Sequence, residues 1–393
     1  MIDILQLACK YLRFNWIKTS IVVVAIALIL FLPAALDLLV RHGATSLLTR
    51  AAGTPLVLGA QGSPLELVLN SLYFETKPPP EITYSEVARI EQTSLATAIP
   101  IYNRFRAGGW PIVGTNLDYY PWRSLELAQG RYPLMIGECV LGADAAKELS
   151  VQIGAHVISS PEELFDFAGS YPLRMEVVGI LKSTGAADDR AIFTDIKTVW
   201  IIAGLAHGHE DVTQAPDDDG TILRREGSRT ITNASTMTYN VIHAGNRASY
   251  HLHGKIEDLP LTAVLALPHD PRAGALLRGK YLRADESMQM IVPTTVIESL
   301  LGTMFRLREY LLLGSALAVF STLSTTSLVF FLALRLRQRE IETMHRIGLP
   351  RTRVLGLLAT EIAIVIAAAV ALALIFSIVF SRYVDLIMLE ILT

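Results

Sequence analysis

Apolar residues are concentrated in long runs at the two ends of the chain, and a mixed region lies between them. A helix that crosses the hydrocarbon core of a bilayer, about 30 Å thick, needs roughly 20 predominantly apolar residues. Three runs without a charged residue are close to that length or longer: 19–36, 310–334 and 362–381. The pattern therefore predicts a membrane protein with three transmembrane α-helices, at 19–40, 310–334 and 357–381.

The residues between the first two spans, 41–309, show the pattern of a folded α/β domain, since structureless segments of this length are uncommon in compact proteins. Strand-like and helix-like runs alternate there, bounded by Gly, Pro or polar residues. The predicted strands are 55–59, 174–181 and 287–292, and the predicted helices are 83–90, 143–149 and 271–278. The first of these helices opens with Thr83-Tyr-Ser-Glu86, which has the spacing of a capping box. We therefore expect a large α/β extracytoplasmic domain between the first and second spans.

The segment before the first span, residues 1–18, has apolar positions at helical spacing and is predicted to be a cytoplasmic amphipathic helix. Pro33 lies in the last turns of the first run, where it is expected to kink or end the helix, because proline has no N–H to donate. A cleaved signal peptide is the alternative interpretation of this run. Its apolar stretch exceeds the roughly 7 to 15 residues of a typical signal peptide, which favours a retained span.

Basic residues near the membrane ends predict the orientation, because cytoplasmic flanks carry more Lys and Arg. One set lies before the first run and between the second and third runs: Lys10, Arg13, Lys18, Arg335, Arg337, Arg339, Arg346, Arg351 and Arg353. The opposing set is smaller and more scattered: Arg41, Arg50, Arg306, Arg308 and Arg382. The N-terminus and residues 335–356 are therefore predicted to be cytoplasmic, and the region 41–309 and the tail 382–393 extracytoplasmic.

Composition narrows the functional classes. Charged residues make up 18% of the chain, whereas soluble domains average about 25%. The formal net charge is -3, and no stretch outside the membrane flanks forms the basic face that nucleic-acid binding requires, so no nucleic acid is expected as a partner. No Walker A loop, Gly-x-Ser-x-Gly elbow or His-Glu-x-x-His helix occurs. We therefore expect no catalytic site and no cofactor, and any ATP must be hydrolysed by a partner.

Histidine and aspartate residues cluster in the polar stretch 206–220, which is predicted to be a surface loop. His207, His209 and the three aspartates 217–219 offer the nitrogen and oxygen ligands that zinc or copper binds. A solvated polar loop explains the same residues equally well. The sequence leaves both interpretations open, and we assign no metal ligand.

The segment between the second and third spans has an order of residues that a plain basic flank does not require. A basic run, Arg337-Gln-Arg339, leads into Glu340-Ile341; the break Gly348-Leu-Pro350 follows, and Glu361 opens the third apolar run. This order resembles the loop between the second and third helices of the MacB/FtsX-like ABC transporter permeases. The order, rather than the arginines alone, identifies the chain as similar to that family.

The resemblance covers most of the chain. It includes the following segments, in the order in which the family has them: 7–13, 56–70, 130–132, 138–142, 177–181 and 189–193. The family includes macrolide exporters, lipoprotein-sorting permeases and cell-division regulators of wall hydrolases. Its members normally have a fourth span, whereas the residues after 381 are too few to cross a bilayer. A three-helix variant, or a helix supplied elsewhere, is therefore expected.

The resemblance implies a permease subunit of an ABC transporter in the cell inner (plasma) membrane, which transmits the ATP-driven motion of a separate ATPase to the extracytoplasmic domain. Export or extraction of a substrate such as a lipoprotein, peptide or drug would follow. The implied partners are the ABC ATPase subunit, a second permease copy or paralogue that completes a dimer, a membrane-fusion protein or lipoprotein, and the lipid bilayer. The alternative is a regulatory scaffold that controls an extracytoplasmic partner, such as a cell-wall hydrolase, without transport.

The resemblance also implies that the cytoplasmic loop 335–356 docks on the ATPase. Charge complementarity makes its charged side chains the candidate contacts, and its glycine marks the break between two helices. The candidate ATPase-coupling residues are Arg337, Arg339, Glu340, Glu342, Arg346, Gly348 and Arg351.

Overall fold

The chain divides into two compact units in a computed structural model. A helical unit comprises Met1–Leu47 and Ser299–Thr393, and an α/β unit comprises Leu48–Glu298. The structure describes residues 2–75, 77–160, 172–208, 222–226, 229–232, 240–243, 245–252, 254–284, 287–336, 338, 342–343, 346 and 351–391.

The described α-helices alternate between very long and short elements. In chain order they are α1 (Ile2–Phe14), α2 (Trp16–Ala52), α3 (Pro64–Tyr73), α4 (Ser85–Glu91), α5 (Tyr119–Trp122), α6 (Ala143–Leu149), α7 (Ile196–Ile202), α8 (Pro271–Ala284), α9 (Pro293–Leu336) and α10 (Arg351–Ile391). The three longest, α2, α9 and α10, contain the three apolar runs of the sequence.

Two helical segments of the described residues are long and apolar enough to cross a membrane, Trp16–Ala52 and Ala359–Tyr383. The second predicted span, 310–334, is helical throughout because it lies inside α9. Large apolar side chains on these helices, such as Leu313 and Phe320, are exposed, which is the arrangement expected of helices that face lipid. These helices are consistent with a membrane protein. The count of three spans stays a prediction.

Small side chains form the contact between α2 and α10 in the helical unit. The buried cluster consists of Ile26, Ala27, Val365, Ala369 and Ala373. Alanines at such a contact let two helix backbones approach closely. Phe31 of α2 adds edge-on contacts to Phe376 and Phe380 of α10, with ring centroids 5.7 Å from each. Small apolar side chains and aromatic rings therefore pack these two helices together.

Of the two outcomes predicted for Pro33, a kink or an end of the helix, the end does not occur. Helix α2 continues through Pro33 to Ala52, although proline cannot donate a hydrogen bond to the preceding turn. Beyond Pro33, Asp37 forms ion pairs with Arg41 in the next turn, at 2.8 Å, and with Arg308 of α9. Two of the arginines from the scattered outer set are thus held by one carboxylate.

The strands of the α/β unit are mostly short. In chain order they are β1 (Leu56–Ala60), β2 (Ile82–Thr83), β3 (Ala96–Ala107), β4 (Trp110–Thr115), β5 (Leu127–Gly130), β6 (Glu138–Leu141), β7 (His156–Ser160), β8 (Leu173–Leu181), β9 (Ile192–Asp195), β10 (Ala206–Gly208), β11 (Ile222–Glu226), β12 (Arg229–Thr232), β13 (Asn240–Val241), β14 (Tyr250–Leu252), β15 (Pro260–Leu261), β16 (Ala263–Pro268) and β17 (Met288–Ile291).

Eleven of these strands form one mixed sheet. Its main path has the order β13-β8-β6-β9-β4-β3-β16-β1-β17, while β5 pairs with β8, and β7 pairs with β3 and β8. The first and last strands of the unit are neighbours, because β1 pairs antiparallel with β17, with Val57 opposite Ile291. The sequence predicted both strands, but their pairing joins residues too distant in the chain for the pattern to indicate.

The core of the α/β unit lies between this sheet and the short helices. Trp200 of α7 is fully buried, and its indole nitrogen donates a hydrogen bond of 2.8 Å to the carbonyl of Pro260. Cys139 of β6 is buried too, and burial raises the pKa of its thiol. This cysteine is therefore a neutral core side chain.

The predicted helices of the α/β unit are confirmed, but the predicted cap at the start of the first of them is wrong. Helix α4 begins at Ser85 after Tyr84, without a side-chain cap, so the predicted capping box is wrong. Glu86 is buried and accepts hydrogen bonds from Tyr281 at 2.8 Å and from Arg89 at 3.2 Å. The carboxylate is therefore used for a tertiary contact with α8 instead of the helix end.

The predicted loop at 206–220 begins as a strand, so that part of the prediction is wrong. Residues Ala206–Gly208 pair antiparallel with Tyr250–Leu252, and His207 lies opposite His251. The remainder of the stretch, including His209 and the aspartates 217–219, lies outside the described residues. Among the residues that are described, no group of three or more His, Cys, Asp or Glu could hold a metal ion.

We expect Gly142→Ala to destabilise the α/β unit. A Cβ atom at Gly142 would lie 2.2 Å from the carbonyl oxygen of Asp188 and 2.4 Å from that of Asp189. Overpacking of this kind costs about 2 kcal/mol and lowers Tm by roughly 5 °C in a domain of this size. The measurement is near-UV circular dichroism of the detergent-purified chain during heating.

The matched control is Gly62→Ala, because no atom lies within 4 Å of the position of the added Cβ. Its Tm should stay close to that of the wild type. Equal Tm values for Gly142→Ala and the wild type would contradict the predicted close packing.

Candidate coupling site

The predicted ATPase-coupling residues are partly described. Arg337, Arg339, Glu340 and Gly348 lie outside the described residues. Glu342 and Arg346 are both helical, and Arg351 is the first residue of α10.

Glu342 and Arg346 form an ion pair across one helical turn, at 3.3 Å. Both side chains are strongly exposed, at 66% and 79%. Exposed pairs of this spacing stabilise a helix by only about 0.3 to 0.5 kcal/mol. The two charges therefore contribute little to the fold and remain accessible to a binding partner.

The last turn of α2 belongs to the α/β unit. Arg50 lies in the last turn of α2, and its side chain is 8% exposed. Its Nη1 and Nη2 atoms donate to the two carboxylate oxygens of Asp188, at 2.5 and 3.0 Å. Its Nε atom donates to the carbonyl of Leu72, the penultimate residue of α3. The guanidinium is therefore held on two edges, in the bidentate geometry that fixes its plane.

Tyr119 bonds to both members of this ion pair. Its hydroxyl accepts a hydrogen bond from Nη2 of Arg50 at 3.1 Å and donates one to Oδ1 of Asp188 at 2.6 Å. Burial and the neighbouring Asp188 raise the pKa of Tyr119, so the hydroxyl keeps the proton that it donates. We call Arg50, Leu72, Tyr119 and Asp188 the anchor cluster.

The carboxylate of Asp188 is ionised despite its burial. Burial favours the neutral acid, but the charge of Arg50 and the hydrogen bonds from Arg50 and Tyr119 outweigh it, and the pKa of Asp188 lies below its usual value of 3.8. A buried ion pair of this kind is stable only when its remaining lone pairs are satisfied by hydrogen bonds. The hydroxyl of Tyr119 supplies one of these bonds.

A second arginine lies beside the anchor cluster. Arg123 donates a hydrogen bond of 2.7 Å to the hydroxyl of Thr54, which in turn donates to the carbonyl of Arg50 at 3.2 Å. The guanidinium of Arg123 also lies 3.9 Å from the ring centroid of Trp122. Thr54, two residues after α2, is therefore bonded to the residue that directly follows α5, the short helix that carries Tyr119.

Sequence reasoning missed the anchor cluster. In the sequence, Arg50 is one of several scattered basic residues near outer helix ends, and Asp188 directly precedes the 189–193 motif. A basic residue in the last turn of a helix is common because it interacts favourably with the helix dipole. The available signal was therefore too general to pair Arg50 with a residue 138 positions away.

Two family models match the chain. The MacB-like periplasmic core domain matches residues 21–230, and the FtsX-like permease C-terminal domain matches residues 312–393. No curated protein matches the chain.

Two solved structures are similar to the chain at low identity. The periplasmic region of MacB from Actinobacillus actinomycetemcomitans is 12% identical, covers 65% of this chain and 97% of its own, and has a TM-score of 0.36. The extracellular domain of the noncanonic ABC-type transporter YknZ from Gram-positive bacteria is 11% identical, covers 60% of this chain and 98% of its own, and has a TM-score of 0.33.

The two family models match the α/β unit and the C-terminal helices, and long apolar helices precede and follow the α/β unit in the chain. The class of protein is therefore a membrane protein with a periplasmic domain. The chain belongs to the MacB/FtsX-like ABC permease family, as its motifs predict. Members of this family are the membrane subunits of ABC transporters and work with ATPase partners.

The lowered pKa of Asp188 predicts how stability depends on pH. The folded state binds a proton at the Asp188 carboxylate less readily than the unfolded state does. The ionised carboxylate therefore stabilises the folded state above the usual pKa of 3.8, and this stabilisation is lost as the pH falls through the lower pKa of the folded state. The difference in Tm between the wild type and Asp188→Asn should therefore be constant between about pH 7 and pH 5 and should narrow below about pH 4.

Thermal unfolding of the two detergent-purified chains at each pH measures this difference. The control is Glu126→Gln, which removes an exposed carboxylate bonded to Lys182 and should leave Tm close to that of the wild type, because exposed ion pairs contribute little. A difference between wild type and Asp188→Asn that persists unchanged at about pH 3 would contradict the ionised state of Asp188.

Proposed function

We propose that this chain is the permease subunit that transmits the ATP-driven motion of a separate ATPase to the extracytoplasmic α/β unit, and so drives export or extraction of a substrate such as a lipoprotein, peptide or drug. The observation that supports the proposal best is the continuity of α2. The same helix contributes residues 16–47 to the helical unit and its last turn to the α/β unit. ATP hydrolysis belongs to the partner.

The second long helix supports the same conclusion. Only Val292 separates β17 from α9, and only residues 53–55 separate α2 from β1. Since β1 and β17 are paired neighbours in the sheet, both helices connect to adjacent strands through very short segments. Helices are stiff elements, and rigid-body motion of such elements is a common way to transmit a conformational change.

The charged loop 335–356 is the proposed docking site for the ATPase on the cytoplasmic side of the membrane. Glu340, Glu342, Arg346 and Arg351 are the proposed contacts with the ATPase, by charge complementarity. In this arrangement the N-terminus and the loop are cytoplasmic, the α/β unit is periplasmic or extracellular, and a second permease copy or paralogue completes a dimer. A membrane-fusion protein or a lipoprotein is the proposed extracytoplasmic partner.

Charge reversals in the loop test the proposal. We expect Glu340→Lys combined with Arg346→Glu to abolish binding of the ATPase, because opposed charges at a docking surface become like charges. The measurement is affinity purification of the full chain in mild detergent, followed by mass spectrometry and an ATPase assay. The wild type should retain an ATPase and its activity, and the double variant should lose both.

The matched control is Arg272→Glu, which reverses an exposed charge in α8 of the α/β unit and should leave the ATPase bound. Recovery of an ATPase with the double variant at the wild-type level would contradict the assignment of the loop. A wild type that retains no ATPase, and that retains a cell-wall hydrolase instead, would favour the regulatory scaffold.

A further inference from the structure

The anchor cluster attaches the end of α2 to three separate segments of the α/β unit. Arg50 bonds to Leu72, Tyr119 and Asp188, which lie 22, 69 and 138 residues further along the chain. An apolar helix end can slide or rotate against its neighbours, because dispersion contacts are non-directional. A guanidinium with bonds on two edges cannot do so without breaking charged hydrogen bonds.

The turn that contains Asp188 is held by hydrogen bonds to neighbouring segments. Asp188 lies in the 3-10 turn Ala187–Arg190, and the neighbouring Asp189 accepts hydrogen bonds from the backbone N–H groups of Thr184 and Gly185, at 2.9 and 2.7 Å. The peptide N–H of Gly142 donates to the carbonyl of Ala191 at 2.9 Å. The turn is therefore fixed on both sides of the carboxylate.

This turn leads directly into the middle of the main sheet. Strand β9 begins at Ile192, immediately after the turn and Ala191, and lies between β6 and β4. Tyr119 also packs on Phe193 of β9, with ring centroids 5.4 Å apart. Arg50 is therefore connected to a central strand through Asp188 and Tyr119, and to β1 along the chain.

We propose that the anchor cluster is the joint through which motion of α2 enters the α/β unit, with Arg50 and Asp188 as positioning residues. The inference deepens the proposed function and rests on it. Without the joint, the chain keeps its fold and its ATPase, but the end of α2 moves without carrying the sheet with it.

The test compares Asp188→Asn with Glu138→Gln in the full chain purified with its ATPase. Glu138 is a matched control, because it is a buried carboxylate of the same unit, paired with Arg131 at 2.7 Å, and is not bonded to α2. Asparagine and glutamine keep the shape of each side chain while removing its charge. Both variants should retain the ATPase and its basal activity.

The first readout is amide hydrogen exchange without nucleotide. We expect the amides of residues 48–52 to exchange about tenfold faster in Asp188→Asn and at the wild-type rate in Glu138→Gln, because local opening follows the loss of local bonds. Wild-type exchange of these amides in Asp188→Asn would overturn the proposal, because the carboxylate would then not hold the helix end.

The second readout is the change in exchange of the α/β unit on addition of ATP, which needs no knowledge of the substrate. We expect ATP to change exchange in β9 of the wild type and of Glu138→Gln, and this change to be about tenfold smaller in Asp188→Asn, a ratio within the usual range of coupling between sites. Arg50→Lys keeps the charge but loses the bidentate fork, and it should give an intermediate response.

The outcomes separate the joint from the proposed function. A wild type that binds the ATPase and responds to ATP, with an equal response in Asp188→Asn, overturns the joint alone. An equal loss of the ATP response in Asp188→Asn and Glu138→Gln also overturns the joint, because general destabilisation would then explain the result. A wild type with no ATPase, or with no response of the α/β unit to ATP, overturns the proposed function and the joint together.

Discussion

A positive charge that leaves water has to be paired, and the end of α2 brings one such charge, that of Arg50, into the α/β unit. Arg50 is buried at the end of a long helix, and its pairing with Asp188 determines where the turn 187–190, α5 and the end of α3 lie relative to that helix. Breaking a buried pair by removing one partner typically costs 3 to 5 kcal/mol, because the remaining charge is left uncompensated. The same residue therefore couples the stability of the unit to the position of α2.

The remaining contacts fall into two physical types. In the helical unit, alanines and phenylalanines of α2 and α10 pack by shape, which is the usual basis of helix association where lipid removes the hydrophobic driving force. In the α/β unit, buried carboxylates bind distant segments: Glu86 reaches α8, and Glu138 accepts hydrogen bonds from Arg131 and from the backbone of the preceding turn. The helical unit has polar contacts as well, since Asp37 of α2 pairs with Arg41 and with Arg308 of α9.

The family assignment and the proposed mechanism have different supports. Membership of the MacB/FtsX-like ABC permeases follows from the order of motifs along the chain and is confirmed by the two family models. The proposed mechanism takes the ATP-driven motion from what the family resemblance implies, and the proposed route of that motion is supported by the continuity of α2, the pairing of β1 with β17, and the anchor cluster.

The sequence by itself determined the family and the helices and strands named below, because both depend on local patterns of residues. Charge-free runs predicted helices within α2, α9 and α10, strand-like runs bounded by Gly, Pro or polar residues predicted β1, β8 and β17, and the predicted helix 143–149 has the observed bounds of α6. Local patterns misplaced the role of Glu86, because its carboxylate bonds to Tyr281 of α8, and they could not decide whether α2 ends at Pro33 or continues, as it does. Only the tertiary structure decided that Arg50 meets Asp188, because a pair separated by 138 residues leaves no period or spacing in the chain and is created by the folded sheet that brings the two segments together.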